Sequence, residues 1–139
     1  MNSVYSKLKL FLSACLVTAS FSLAAQTVKI TLSGMQEVPA VTTSASGTGN
    51  ITIAADQTVS GSVTTNGVDG TMAHIHLAPS GQNGPVIVPM TKTAENTWSI
   101  PSGAKLSDAQ FQSFKEGNLY INVHSASNKG GEIRGQLKP

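Results

Sequence analysis

The chain has 139 residues, with nine Lys and Arg against seven Asp and Glu, a length that allows one domain of ordinary size. Two of the basic residues lie near the N-terminus, so residues 26–139 carry seven charges of each sign. Because no basic cluster remains there to neutralise phosphates, the composition excludes nucleic acid as a partner.

The N-terminus predicts a secretory signal. Lys7 and Lys9 precede an almost wholly apolar stretch over 10–23, and Ser22-Leu23-Ala24 matches the small-x-small cleavage rule. We therefore predict a signal peptide over residues 1–25, a single domain over 26–139, and a periplasmic or secreted protein. The apolar stretch is shorter than the roughly 20 residues that a spanning helix needs, so no membrane span is predicted.

Cys15 offers an alternative processing site. The run Leu12-Ser13-Ala14-Cys15 is similar to the box that precedes a lipidated cysteine in bacterial lipoproteins. Cleavage before Cys15 would leave an apolar core of about six residues, below the usual range of about 7 to 15. We favour cleavage after Ala24 or Ala25, which removes the only cysteine and excludes a disulfide in the domain. Lipidation of Cys15 stays open.

From Thr27 onward, apolar residues recur at every second position, which is the spacing of a strand with one buried face. Turn-forming residues such as the pair Asn66-Gly67 separate the apolar segments. The pattern predicts strands near residues 27–32, 50–53, 59–64, 71–77, 85–90, 97–100, 118–124 and 132–138. Short strands at this spacing indicate a mainly β protein, either an antiparallel β-sandwich or a Greek-key barrel.

One segment departs from this period and predicts a short helix over 107–116. Ser107 and Gln110 form a capping-box pattern, and Gly117 supplies a stop. Phe111 and Phe114 share one helical face. We expect the helix to lie across one end of the β structure and to bury both phenylalanines.

The three histidines are predicted to lie on the sheet face that points away from the core. His74 and His76 are two residues apart on one strand, and His124 alternates with apolar residues on another. If these strands are neighbours, about 4.8 Å apart, the three imidazoles can close on one ion. Imidazole suits copper and zinc, so we predict a site for a copper ion, with zinc as the alternative.

Three other residues are candidates to complete or support this site. A thioether from Met72 or Met35 would favour copper, and Glu37 could act as a ligand or support a histidine. The alternative is that the histidines lie on a solvated face, bond to Tyr120, Asn122 or backbone carbonyls, and bind no metal. Glu132, Arg134 and Gln136 also share one strand face, for which we expect solvent or an ion pair, with an anion site at Arg134 as the less favoured alternative.

Four motifs together resemble the CHRD domain, a family named for its copies in the animal protein chordin and widespread in secreted bacterial proteins. In chain order they are LSGMQEVP over 32–39, AHIHL over 73–77, NLYINVHS over 118–125 and GEIRGQL over 131–137. The resemblance covers nearly all of the chain after the signal. It implies an extracytoplasmic β-sandwich-like domain whose HxH and NVH motifs fall at His74, His76 and His124, and it does not imply one settled activity.

These observations favour two functions. The first is a secreted or periplasmic metal-binding protein for the storage or delivery of copper, or for protection. The second is a non-metal interaction module that binds another extracytoplasmic protein, as the role of chordin in binding growth factors would suggest. A hydrolytic or redox enzyme with a three-histidine metal and an open position for water is a less favoured alternative, because no clear general base accompanies the histidines. We therefore predict no catalytic residues.

Overall fold

The computed structural model describes residues 24–139, so the predicted signal peptide, apart from its last two residues, and Cys15 lie outside the described residues. Within residues 24–139 the protein consists of nine β-strands and one short α-helix. The prediction of a mainly antiparallel β fold with a single helix is confirmed.

All strand pairings in the sheet are antiparallel. The strands are β1 (Gln26–Ser33), β2 (Ser46–Ile53), β3 (Val59–Asn66), β4 (Gly70–Leu77), β5 (Val86–Pro89), β6 (Thr91–Ala94), β7 (Thr97–Ser99), β8 (Leu119–Ser125) and β9 (Ile133–Leu137). A 3-10 turn (Gly34–Gln36) follows β1, and the helix α1 (Asp108–Lys115) precedes β8.

The nine strands form one sheet, in the order β5-β4-β8-β9-β1-β2-β3-β7-β6. The two outermost strands, β5 and β6, are separated in the chain only by Met90. The amide of Met90 donates to the carbonyl of Ala73 in β4 over 2.9 Å. The sheet therefore curls into a nearly closed barrel, with an inner apolar face and an outer face.

Alternation along the strands fills the interior with aliphatic side chains, and Trp98 joins them from β7. The helix covers part of this core: Ser107 and Gln110 form both hydrogen bonds of the predicted capping box, at 3.2 and 2.9 Å. Phe114 is buried as expected. The expectation for Phe111 is wrong in degree, because this ring is only partly buried against the core.

The sequence pattern missed one strand. All four residues of β6 are exposed, so they show no alternation of apolar and polar side chains. The segment predicted as one strand over 85–90 is β5 alone, and the chain continues through Met90 into β6. Among residues 24–139, no helix is long and apolar enough to cross a membrane.

Candidate metal centre

The two strands that carry the histidines are neighbours in the sheet. In the register of β4 and β8, His74 lies opposite Asn122, His76 opposite Tyr120, and Met72 opposite His124. All of these side chains project from the outer face, because their apolar neighbours fill the interior. The condition for the three imidazoles to converge is therefore met.

The three histidines form one cluster. Each offers a ring nitrogen, and these three atoms all lie within 4.8 Å of one another. Nδ1 of His74 is 3.1 Å from Nε2 of His124. The ring centroid of His74 lies 5.5 Å from that of His76 and 5.0 Å from that of His124. These separations are short enough for three bonds of about 2.0 to 2.1 Å to a single ion after small side-chain adjustments.

Backbone carbonyls determine the tautomers of two of the rings. Nδ1 of His76 donates to the carbonyl of Gly84 over 2.9 Å, and Nδ1 of His124 donates to the carbonyl of Lys129 over 2.8 Å. Because a carbonyl oxygen only accepts, each Nδ1 carries the proton and each neutral ring has its lone pair on Nε2. His124 Nε2 then accepts from His74 Nδ1, and a bound metal would replace this hydrogen bond.

His76 supplies the atom that most clearly requires a partner. Its Nε2 is buried and has no hydrogen-bond partner among the described residues. Buried polar atoms are nearly always paired, because leaving one without a partner costs about 1 to 3 kcal/mol. An ion held between the three rings would satisfy this nitrogen, so the residues present fit a metal.

Two loops cover the outer face where the histidines lie. His76 and His124 are 8 % and 7 % exposed, whereas His74 is half-buried. The carbonyls of Gly84 and Lys129 belong to these loops, which follow β4 and β8. The alternative of histidines on a solvated face is therefore wrong about the solvation of His76 and His124, but its expectation that the histidines bond to backbone carbonyls is confirmed for both.

Burial lowers the pKa of His74 and of His76 below the ordinary value of 6.5, because desolvation disfavours the charged imidazole. The neighbouring His124 and His76 lower the pKa of His74 further. The hydrogen bond to the carbonyl of Gly84 raises the pKa of His76 and so opposes the lowering by burial. Both rings are thus neutral at pH 7, the form in which a histidine binds a metal.

The three further candidate ligands differ in placement. Met72 lies opposite His124 in the register, next to the cluster in the sheet, and its side chain is 50 % exposed. Met35 is 76 % exposed on the 3-10 turn. Glu37 is buried, but it is not in the group of possible ligand residues that the structure brings together, which consists of the three histidines.

Glu37 has an unusual environment of its own. Burial raises its pKa from 4.5 to about 7, although the positive charge of Arg134 opposes the rise. Within residues 24–139 its Oε1 has no hydrogen-bond partner. Glu37 also lines a cleft of about 410 Å³, together with Val38, Pro39, Val41, Asn83, Asn128, Gly130 and Gly131.

Sequence reasoning missed the role of Arg134. This residue was expected to face solvent or to pair with an acid, yet it is 1 % exposed and its guanidinium lies over the ring of Tyr120, 3.4 Å from the centroid. Its period-two position on the same face as the histidines was a signal that could have found it. The two carbonyls that orient His76 and His124 have no such signal, because every residue carries a carbonyl.

The comparisons with known proteins identify the domain and do not extend to function. The family model of the CHRD domain matches residues 28–137. The search of curated proteins found no match. The search of solved structures found none either.

Proposed function

The chain belongs to the CHRD domain family, and we propose that it is a secreted or periplasmic metal-binding protein that holds copper between His74, His76 and His124. CHRD domains are found in extracellular proteins, which agrees with the signal peptide expected at the N-terminus. Storage, delivery or protection are the roles that suit such a site. Zinc is the alternative metal.

The observation that carries this proposal is the buried Nε2 of His76, which has no hydrogen-bond partner among residues 24–139 and belongs to a ring whose centroid is 5.5 and 6.1 Å from those of His74 and His124. Three ring nitrogens within 4.8 Å of one another, one of them on the half-buried ring of His74, form a site that an ion can reach. Met72, which is exposed and lies opposite His124 in the register, supports copper over zinc, because its thioether would be a soft sulfur ligand that suits Cu(I).

Metal titration of the purified protein tests the proposal. The wild type is expected to bind one Cu(I) or Cu(II) ion per chain, and His74→Ala, His76→Ala and His124→Ala should each weaken binding by at least tenfold. This magnitude is inferred from the roughly 10- to 100-fold loss of metal affinity that follows when even the groups that support metal ligands are altered. Lys29→Ala, on the outer face of β1 and away from the cluster, is the matched control and should bind as the wild type does.

Circular dichroism establishes that each variant is folded, and a variant that does not fold as alanine is replaced by glutamine at the same position. Absence of copper and zinc binding by the wild type would contradict the proposal and favour the non-metal interaction module. Tight binding that persists in all three histidine variants would place the metal elsewhere.

A further inference from the structure

Arg134 organises the loop that covers the histidine cluster. The guanidinium donates from Nη1 to the carbonyl of Gln82 over 2.8 Å and from Nη2 to the carbonyl of Pro79 over 3.2 Å. Both acceptors lie in the loop between β4 and β5. The planar, multiply donating guanidinium can hold two carbonyls of one loop at once, which an ammonium group cannot do with the same geometry.

The same loop supplies the carbonyl that fixes the tautomer of His76. Gly84 accepts from His76 Nδ1, and its own amide donates to the hydroxyl of Tyr120 over 3.2 Å. Arg134 therefore acts on the position of the Gly84 carbonyl through the loop that it anchors.

A second connection between Arg134 and His76 passes through the ring of Tyr120. The Cζ atom of Arg134 lies 3.4 Å from the Tyr120 centroid, and the His76 ring is stacked on Tyr120 at 4.7 Å with an interplanar angle of 7°. The three side chains come from β9, β8 and β4, which are consecutive in the sheet, so Tyr120 lies between the cation and the imidazole. The stack fixes the plane of the imidazole.

Resting on the proposed function, we infer that Arg134 is the positioning residue of the three-histidine site and that its buried charge makes the site prefer monovalent copper to divalent ions. It holds His76 with Nε2 directed at the metal. It also places a fixed positive charge behind a set of three neutral ligands.

The charge preference follows from Coulomb repulsion. Arg134 and His76 are on strands two spacings apart, about 10 Å at about 4.8 Å per spacing. Repulsion from the guanidinium acts twice as strongly on a divalent as on a monovalent ion. At an effective dielectric constant of about 20, the difference corresponds to roughly tenfold in relative affinity. Glu37 is the acid that interacts with Arg134, and it offsets part of this charge when it is ionised.

Three variants separate the two roles of Arg134. Arg134→Met removes both the charge and the anchoring of the loop, Arg134→Lys keeps the charge, and Glu37→Gln at pH 8 removes the opposing negative charge. Lys29→Met serves as the control for loss of an exposed cation. Affinities are measured for Cu(I) under anaerobic reducing conditions and for Zn(II), and nitrogen NMR of the metal-free protein reports the tautomer of His76.

In Arg134→Met we expect the preference for Cu(I) over Zn(II) to fall about tenfold and His76 to become a mixture of tautomers. Arg134→Lys should keep most of the preference but lose the single tautomer, and Glu37→Gln should increase the preference. The Glu37 variant still tests the charge effect if Arg134→Met does not fold.

The role of Arg134 would be overturned, with the metal site left in place, if folded Arg134→Met and Glu37→Gln both kept the wild-type preference for Cu(I) over Zn(II) and His76 kept a single tautomer. A wild type that binds neither ion would instead overturn the proposed function and the metal preference with it.

Discussion

Replacing Glu37 by glutamine should change the pH dependence of stability in a predictable direction. The carboxyl is 5 % exposed, and its pKa is raised from 4.5 to about 7, chiefly by burial. A group whose pKa is higher in the folded state stabilises the fold below its unfolded pKa and loses that contribution as the pH rises through the folded value. At about 1.36 kcal/mol per pKa unit, this rise corresponds to about 3 kcal/mol.

Glutamine keeps the shape of the protonated acid and does not ionise. The difference in unfolding free energy, variant minus wild type, should therefore grow between about pH 4.5 and pH 7 and level off near 3 kcal/mol. Urea unfolding of both proteins at several pH values, followed by circular dichroism, measures this difference. Glu95→Gln, at an exposed position in the turn after β6, is the matched control and should show no such growth. A Glu37→Gln difference that stays constant with pH would refute the reasoning.

Two further substitutions test the packing, each by urea unfolding against a neighbouring control. Gly131→Ala should lower the unfolding free energy by about 1 to 3 kcal/mol, because φ is +128° and a Cβ would collide with Oε1 of Glu37. Gly130→Ala meets no atom within 4 Å and should change it by no more than about 0.5 kcal/mol; equal effects would contradict the proposed contact. Phe114→Ala should cost about 3 to 5 kcal/mol, since that ring is 1 % exposed. Phe111→Ala should lower the unfolding free energy by less, because the ring of Phe111 is only partly buried. A larger effect at Phe111 than at Phe114 would show that the helix packs differently.

The sequence predicted most of the fold because the outer face of the strands is polar and the inner face is not. Where both faces of a segment are exposed, as in β6, there is no alternation to detect. The alternation of apolar and polar residues also could not predict that the sheet closes. It depends on the pairing of Met90 with Ala73, a contact between backbone atoms that any pair of residues could make.

At the site, period two predicted which side chains share a face but not what lies above them. His124 was expected to turn away from the core, and it does, yet a loop carbonyl covers it. The position of Arg134 on the outer face of its strand predicts exposure to solvent. The residue is nevertheless buried, because the loop after β4 folds over it. Burial by a loop leaves no periodic signal in the strand beneath.

The covered outer face forms a second buried layer that differs in kind from the apolar interior. Three of its buried polar atoms have no partner among residues 24–139: Oε1 of Glu37, Nε2 of His76 and Oδ1 of Asn122. Burying a polar group without a hydrogen bond is unfavourable, so a layer needed only to cover the sheet would be more stable with apolar side chains. The Nε2 of His76 belongs to the three-histidine cluster, and Asn122 lies opposite His74 in the register of β4 and β8. Under the proposed function, a metal ion held by the three histidines would give the Nε2 of His76 a partner and offset part of this cost.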